Sequence, residues 1–149
     1  MSQLLDVETA TEPTAGRTRL FSTRPAHQAF WILYVGFAAL PVVAGLDKFF
    51  HLLVNWEMYL APAALRILPV SGDTFMLAVG VIEIAAGLLV AFRPRIGAYV
   101  VTLWLWGIIA NLLLIPGFYD IALRDFGLSL GALALARLSR EFDPTPLGV

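Results

Sequence analysis

The stretch Thr74–Phe92, which reads TFMLAVGVIEIAAGLLVAF, decides the fold class because Thr74 and Glu83 are its only side chains with polar groups. A hydrocarbon core about 30 Å thick needs roughly 20 mostly apolar residues in a crossing helix, and this stretch is close to that length. An ionisable group near the middle of such a helix is costly, so it indicates a function or a specific partner. The stretch therefore predicts a transmembrane helix built around one acid.

Three other stretches are similarly apolar. The full set runs over Phe30–Phe50, Thr74–Phe92, Ile96–Pro116 and Phe118–Leu138. Hydrophobic residues make up 59% of the chain and charged residues 14%, whereas soluble domains average about 45–50% and about 25%. We therefore expect an all-α polytopic membrane protein with four transmembrane helices in an antiparallel bundle.

The segments between these stretches complete the predicted layout. Residues 51–73 contain Trp56 and Tyr59 among other apolar residues, so we expect a short interfacial helix between helices one and two. Arg93-Pro94-Arg95 leaves room only for a tight turn, which makes helices two and three a hairpin. Residues 1–28 form a polar N-terminal tail, residues 29–140 the membrane domain and residues 141–149 a C-terminal tail.

Basic residues predict the orientation, because cytoplasmic loops carry an excess of Lys and Arg. With four crossings, both termini and the hairpin turn share one side of the membrane. That side holds Arg17, Arg19, Arg24, Arg93, Arg95, Arg137 and Arg140, and the other holds Lys48, Arg66 and Arg124. We therefore expect both termini in the cytoplasm.

Composition excludes several functions. A net charge of −1 gives no basic face for nucleic acid. With no cysteine, the chain cannot form disulfides or hold a cysteine-ligated iron–sulfur cluster. Its two histidines, His27 and His51, flank the first predicted helix at opposite membrane faces, so we expect neither a haem nor a metal site.

Glu83 is the first candidate site residue. It shares a helical face with Gly80 and Gly87, and small residues let transmembrane helices approach closely, so this face is expected to point into the bundle. Desolvation there would favour the neutral carboxylic acid. Glu83 would then be a proton carrier or a hydrogen-bonding group for a polar ligand head. The alternative is a hydrogen-bonded clip between helices.

Asn111 and Trp104 share a face of the third helix and are candidate partners of Glu83. Glu83 lies about 11 residues before Pro94 and Asn111 about 17 residues after it, so their depths differ by ~9 Å at 1.5 Å per residue. We therefore expect Asn111 to contact residues nearer the outer face. Trp104 is closer in depth to Glu83 and is expected to form a wall of a pocket around it.

A second group of candidates, Asp47, Lys48 and His51, lies at the predicted outer face. Asp47 and His51 are four residues apart, so a continuing helix would let the carboxylate hold the imidazole as a proton-exchange group. The alternative is an ordinary helix end, with Lys48 extended toward the headgroups beside a neutralising acid. Asp120 and Arg124 have the same spacing, and we expect them to pair as a cap of the fourth helix, with Asp125 beside them. The alternative is that these three residues help close an outer-face polar cluster with the Asp47, Lys48 and His51 group.

Two motifs resemble the DoxX-like small integral membrane proteins. They are Gly45-Leu46-Asp47-Lys48-Phe49 at the end of the first helix and Gly80-Val81-Ile82-Glu83-Ile84-Ala85-Ala86-Gly87 in the second. The resemblance covers about residues 30–140 and implies a bacterial inner-membrane protein of four helices. It also implies a link with quinone-dependent oxidoreduction, and its matched positions are Lys48 and Glu83.

These features lead to one functional hypothesis and two alternatives. We expect an accessory or anchoring subunit of a redox-linked, quinone-associated membrane complex, with no redox cofactor of its own and no catalysis by itself. A quinone or lipid would bind near Glu83, and the partners would be the bilayer and other membrane subunits or a second copy. The alternatives are a purely structural subunit that docks onto a larger complex and a small proton or solute transporter. No inverted repeat supports the transporter.

Overall fold

The computed structural model describes residues 15–67 and 69–142. Residues 1–14 of the predicted N-terminal tail and residues 143–149 of the predicted C-terminal tail lie outside them. The described residues are mostly helical and contain no strand, which confirms the all-α class. The helices are α1 (Ala15–Phe50), a 3-10 helix (Trp56–Tyr59), α2 (Pro62–Ile67), α3 (Gly72–Phe92), α4 (Pro94–Leu113) and α5 (Tyr119–Phe142).

Helix α1 begins earlier than the apolar pattern predicts. It starts at Ala15 rather than near His27 and continues through Pro25 and Pro41. Hydrophobicity marks the part of a helix that can lie in a membrane, but a helix can extend beyond that part without any apolar residue. The helix boundary and the predicted membrane boundary are therefore different positions.

The turns between the long helices follow the sequence signals. Arg93 alone separates α3 from α4, and Pro94 occupies the first position of α4, where its missing N–H costs no hydrogen bond. This confirms the predicted hairpin. After α4, Gly117 has a φ of +96°, a conformation that glycine adopts readily, and α5 follows from Tyr119. Ser71 caps α3 by accepting a hydrogen bond from the Thr74 amide at 3.3 Å.

Helices α1 and α3 pack closely and antiparallel to each other. A Cβ atom on Gly45 would lie 2.5 Å from the Gly80 carbonyl oxygen, and one on Gly80 would lie 2.7 Å from the Gly45 carbonyl oxygen. Glycine at both positions therefore permits a backbone separation that any side chain would prevent. Gly80, Glu83 and Gly87 are all buried, which confirms the predicted inward face of α3.

Helices α4 and α5 form a second closely packed pair, and the space between the two pairs is here called the seam. Helix α5 also crosses the seam to contact α1, where Gly131 lies against the Phe37 ring. Near the Arg93 turn the seam is filled by a cluster with the fully buried Phe30, Val90 and Leu135. A smaller cluster that includes Ala61 and Leu112 holds residues 51–71, here called the connection, against α4 and α5.

Three helical segments are long and apolar enough to cross a membrane: Pro25–Phe50, Gly72–Phe92 and Pro94–Leu113. In the most apolar window of each, 17%, 33% and 22% of the residues are buried in the protein, so most of this apolar surface faces outward. Such a surface is suited to lipid contact rather than to water, and the chain is a membrane protein. Helix α5 does not meet the same criterion, because both of its ends carry several charges.

Candidate functional site

The centre of the candidate site is a buried ion pair between α1 and α3. The Lys48 ammonium donates a hydrogen bond to Glu83 Oε2 at 2.6 Å, and the two side chains are 3% and 11% exposed. Charged side chains in a membrane protein are expected to face the interior and to pair. The two positions matched by the family resemblance therefore contact each other directly, a contact that sequence reasoning did not predict.

Lys48 points into the bundle, so the interpretation of this residue as extended toward the headgroups is wrong. Side chains on a helix lean toward its N-terminus. Lys48 is near the C-terminal end of α1, and this lean directs its stem back along the helix toward the level of Glu83. Near the N-terminal end of a helix, the same lean would instead direct a lysine toward the membrane surface.

Asp47 organises the end of α1. Its Oδ1 accepts hydrogen bonds from the Leu52 amide at 2.9 Å and the Leu53 amide at 3.0 Å, and its Oδ2 accepts one from Trp56 Nε1 at 2.8 Å. These bonds satisfy backbone donors just after the helix ends. They also fix the Trp56 indole, whose ring centroid lies 3.6 Å from the Lys48 ammonium, within the range of a cation–π contact.

His51 is not held by the Asp47 carboxylate, so the predicted pair is wrong. Helix α1 ends at Phe50, and His51 leaves the helix with a φ of 52°. The spacing of four residues therefore no longer places the two side chains on one helical face. Instead, the exposed imidazole has its Nε2 3.8 Å from Asp73 Oδ1 at the start of α3.

Asn111 fastens the connection to α4. Its Oδ1 accepts a hydrogen bond from the Ala61 amide at 3.0 Å, and its Nδ2 donates one to the Tyr59 carbonyl at 2.6 Å. The comparison of depths predicted such contacts nearer the end of the bundle, and the structure confirms them. Asn111 thus positions Tyr59, one of the aromatic residues around the Lys48–Glu83 pair.

Trp104 lies beside Glu83 in the seam. Its Nε1–H is buried and has no hydrogen-bond partner among the described residues. A buried indole N–H normally has an acceptor; the Glu83 carboxylate is the neighbouring one, and a molecule that enters the seam would supply another. Trp104 lines two cavities that Glu83 also lines, so it forms part of the wall of the space around Glu83.

Glu83 borders three cavities in the seam. A cavity of about 370 Å³ lies between α3, α4 and the connection, and is here called the lateral cavity. One of about 140 Å³ lies between α1, α4 and α5. A third, of about 320 Å³, lies between the connection, α4 and α5, and is here called the vestibule. Ile108 borders all three, so the cavities meet around Glu83 and Ile108.

Asp125, which is expected from the sequence only beside the cap of the fourth helix, is a residue of this site. It is 4% exposed and borders the vestibule. The Arg124 guanidinium donates a hydrogen bond from Nε to Asp125 Oδ1 at 3.0 Å, and its Nη2 lies 2.9 Å from the same oxygen in a salt bridge, so the predicted Asp120–Arg124 pair is wrong. The spacing of Ala122, Asp125 and Ser129 by three and four residues places them on one buried face, a signal that could have identified Asp125 from the sequence.

The geometry defines what this site can bind. It offers donors on Lys48 and Trp104, an acceptor on Glu83, and walls that are mainly apolar. Such a combination suits a molecule with a small polar head and an apolar body. Comparison of the chain with family models, curated proteins and solved structures finds no match in any of the three.

Proposed function

We propose that this protein is an accessory membrane subunit whose Lys48–Glu83 pair binds the polar head of a quinone or lipid for a redox-linked complex. The observation that carries the proposal is the position of this pair, which is buried at the point where apolar cavities meet. A lysine ammonium has three N–H donors, and Glu83 takes one of them. The remaining donors and the Trp104 N–H are suited to the carbonyl oxygens of a quinone.

The lateral cavity has the properties of a site for the apolar part of such a ligand. Its walls include Phe75, Met76 and Val79 from α3 and Gly107 and Ile108 from α4. Its volume of about 370 Å³ falls within the range of about 300–1,000 Å³ that is usual for small-molecule sites. A tail longer than the cavity would leave between α3 and α4 toward the lipid.

A redox-linked role requires a partner, because the chain supplies no cysteine for an iron–sulfur cluster and two histidines near opposite ends of the apolar part of α1. Electrons would therefore reach the bound quinone from a cofactor of another subunit. The DoxX-like motifs around Lys48 and Glu83 support the same role, since the resemblance implies quinone-dependent oxidoreduction.

The proposed arrangement in the membrane has four crossings in a bacterial inner membrane with both termini in the cytoplasm. Helix α5 has 24 residues, about 36 Å at 1.5 Å per residue, which is long enough to span. Its charges lie near its two ends, where they can reach the interfaces. In this arrangement the 3-10 helix and α2 lie in the outer interface, with Trp56 and Tyr59 at the headgroup level.

Binding of a quinone to the purified protein tests the proposal. The protein in lipid nanodiscs is titrated with a short-chain ubiquinone analogue, and binding is followed by quenching of tryptophan fluorescence. Glu83 holds the Lys48 ammonium in place through a charge-assisted hydrogen bond. Glu83→Gln replaces the carboxylate by a neutral amide, so the ammonium should be less well placed to donate to the quinone and binding should weaken about tenfold. Trp104→Phe removes one N–H from the site with little change of shape and should weaken binding about fivefold.

Glu57→Gln is the matched control, because Glu57 is exposed at the same end of the bundle, and its binding should equal that of the unmodified protein. Equal affinity for Glu83→Gln and Glu57→Gln would contradict the proposed site.

In cells, Glu83→Gln should also lower quinone-dependent turnover of the complex that copurifies with the protein. Copurification with unchanged turnover would instead identify a structural subunit, in which the Lys48–Glu83 pair acts as a clip between α1 and α3.

A further inference from the structure

We propose that the vestibule holds water and connects Glu83 to the aqueous phase at the connection end of the bundle, with Asp125 and Arg124 at its entrance. This inference does not require a bound quinone. It assigns a role to Asp125 and Arg124, which the ligand site described above does not use. It also gives the buried Glu83 carboxylate a route for exchange of protons with water.

The vestibule has the size and the polar groups that ordered water requires. Its volume is about 320 Å³, whereas a water molecule occupies about 30 Å³ in the liquid and a buried one needs 2–4 polar partners. Glu83 lines this space from α3, and Arg124 and Asp125 line it from α5. Apart from Trp56 and Tyr59, the rest of the lining, including Leu105 and Ile121, is apolar.

The contacts of the Asp125 carboxylate oxygens indicate that the vestibule is filled with water. Arg124 Nε and Nη2 both contact Oδ1, and Oδ2 accepts no hydrogen bond from a described residue. A carboxylate that is 4% exposed needs donors for both of its oxygens, because an unsatisfied buried charge is costly. Water in the vestibule would supply the donor for Oδ2.

The position of Arg124 indicates which end of the bundle is open. Its side chain is 64% exposed and lies five residues after the start of α5 at Tyr119, about 7.5 Å along the helix. A long arginine side chain can extend over that distance to the interface. The exposed Asp73 and Asp120 mark the same end, because α3 and α5 both begin there.

Engineered cysteines test for water in the vestibule, since the natural chain has none. Leu105→Cys and Ile121→Cys place a thiol in the vestibule lining. Leu103→Cys and Leu123→Cys are matched controls on the same helices, because these leucines are 76% and 71% exposed on the outer surface. Each protein is reconstituted in vesicles and treated with the membrane-impermeant cation 2-(trimethylammonium)ethyl methanethiosulfonate.

Methanethiosulfonates react with the thiolate, which forms far more readily in water than in lipid, so the vestibule cysteines should react at least about tenfold faster than their controls. Asp125→Leu should slow the reaction at position 105 about tenfold by closing the entrance, whereas Asp120→Leu should not. Labelling after denaturation verifies that every thiol is intact. Equal rates at positions 103 and 105 and at positions 121 and 123 would overturn the inference, whether or not quinone binds.

Discussion

At the scale of single residues, the Lys48–Glu83 pair determines which substitutions at these two positions the fold tolerates. Lys48 and Glu83 are almost completely buried, so loss of either partner leaves the other charge without compensation. Breaking a buried pair on one side typically costs about 3–5 kcal/mol, whereas replacing both partners by apolar residues is often neutral or stabilising. Stability and ligand binding therefore make different demands on the same two side chains.

This difference gives a prediction for a double-mutant cycle. Lys48→Met and Glu83→Leu should each lower the free energy of unfolding by about 3–5 kcal/mol, and the double variant should recover most of the loss. Unfolding in mixed detergent micelles, followed by circular dichroism, measures all four proteins. Asp73→Asn serves as the control, because the exposed His51–Asp73 contact at 3.8 Å should contribute no more than about 1 kcal/mol. Additive single effects would show that the pair is not formed.

The double variant also separates the two roles of the pair. If the pair binds a polar head, a stable Lys48→Met/Glu83→Leu protein should still lose affinity for the quinone analogue. If the pair is a clip between α1 and α3 and nothing else, the same protein should be both stable and active in its complex.

At the scale of helices, the approach of α1 to α3 depends on glycine. A Cβ atom on Gly45 would lie 2.5 Å from a backbone carbonyl oxygen of α3, and backbone atoms cannot move aside as a flexible side chain can. Gly45→Ala should therefore separate the two helices and lower the free energy of unfolding by about 1–3 kcal/mol. Because Lys48 and Glu83 project from these same helices, the separation should also lengthen or break their hydrogen bond.

Gly36→Ala is the matched control for this prediction. Gly36 lies in the same helix, and a Cβ atom there would meet nothing within 4 Å. Alanine is a better helix former than glycine, so this variant should be equal to the unmodified protein or more stable by about 0.5–1 kcal/mol. Thermal unfolding in the same detergent compares the two variants. A Gly45→Ala protein as stable as Gly36→Ala would show that α1 and α3 do not approach as described.

The helices also show how much of the fold could be predicted from the sequence. The hairpin at Arg93 and the start of α5 follow from local signals, namely turn residues and the ends of apolar stretches. The contact between Lys48 and Glu83 does not, because these residues are 35 positions apart and meet only in the register that the glycines of α1 and α3 allow. The spacing of Asp47 and His51 favours a contact only in a continuous helix, and α1 ends between them.

At the scale of the whole molecule, the seam is open at one end and closed at the other. The two larger cavities around Glu83, the lateral cavity and the vestibule, lie toward the connection, whereas Phe30, Val90 and Leu135 fill the seam toward the Arg93 turn and are 0% exposed. Proteins pack their interiors at nearly crystalline density, so this cluster leaves no continuous path for ions through the described part of the chain. The arrangement suits a site with access from one side rather than a channel.

This asymmetry predicts that the protein alone does not conduct protons. In vesicles that contain a pH-sensitive dye and the purified protein, an imposed pH gradient should decay no faster than in protein-free vesicles, because a proton that reaches Glu83 from the vestibule meets the closed cluster beyond it. A protonophore added at the end provides the positive control. Faster decay that is lost in Glu83→Gln would contradict this prediction and identify a transporter. Faster decay that persists in Glu83→Gln would indicate leaky vesicles rather than a path through the seam.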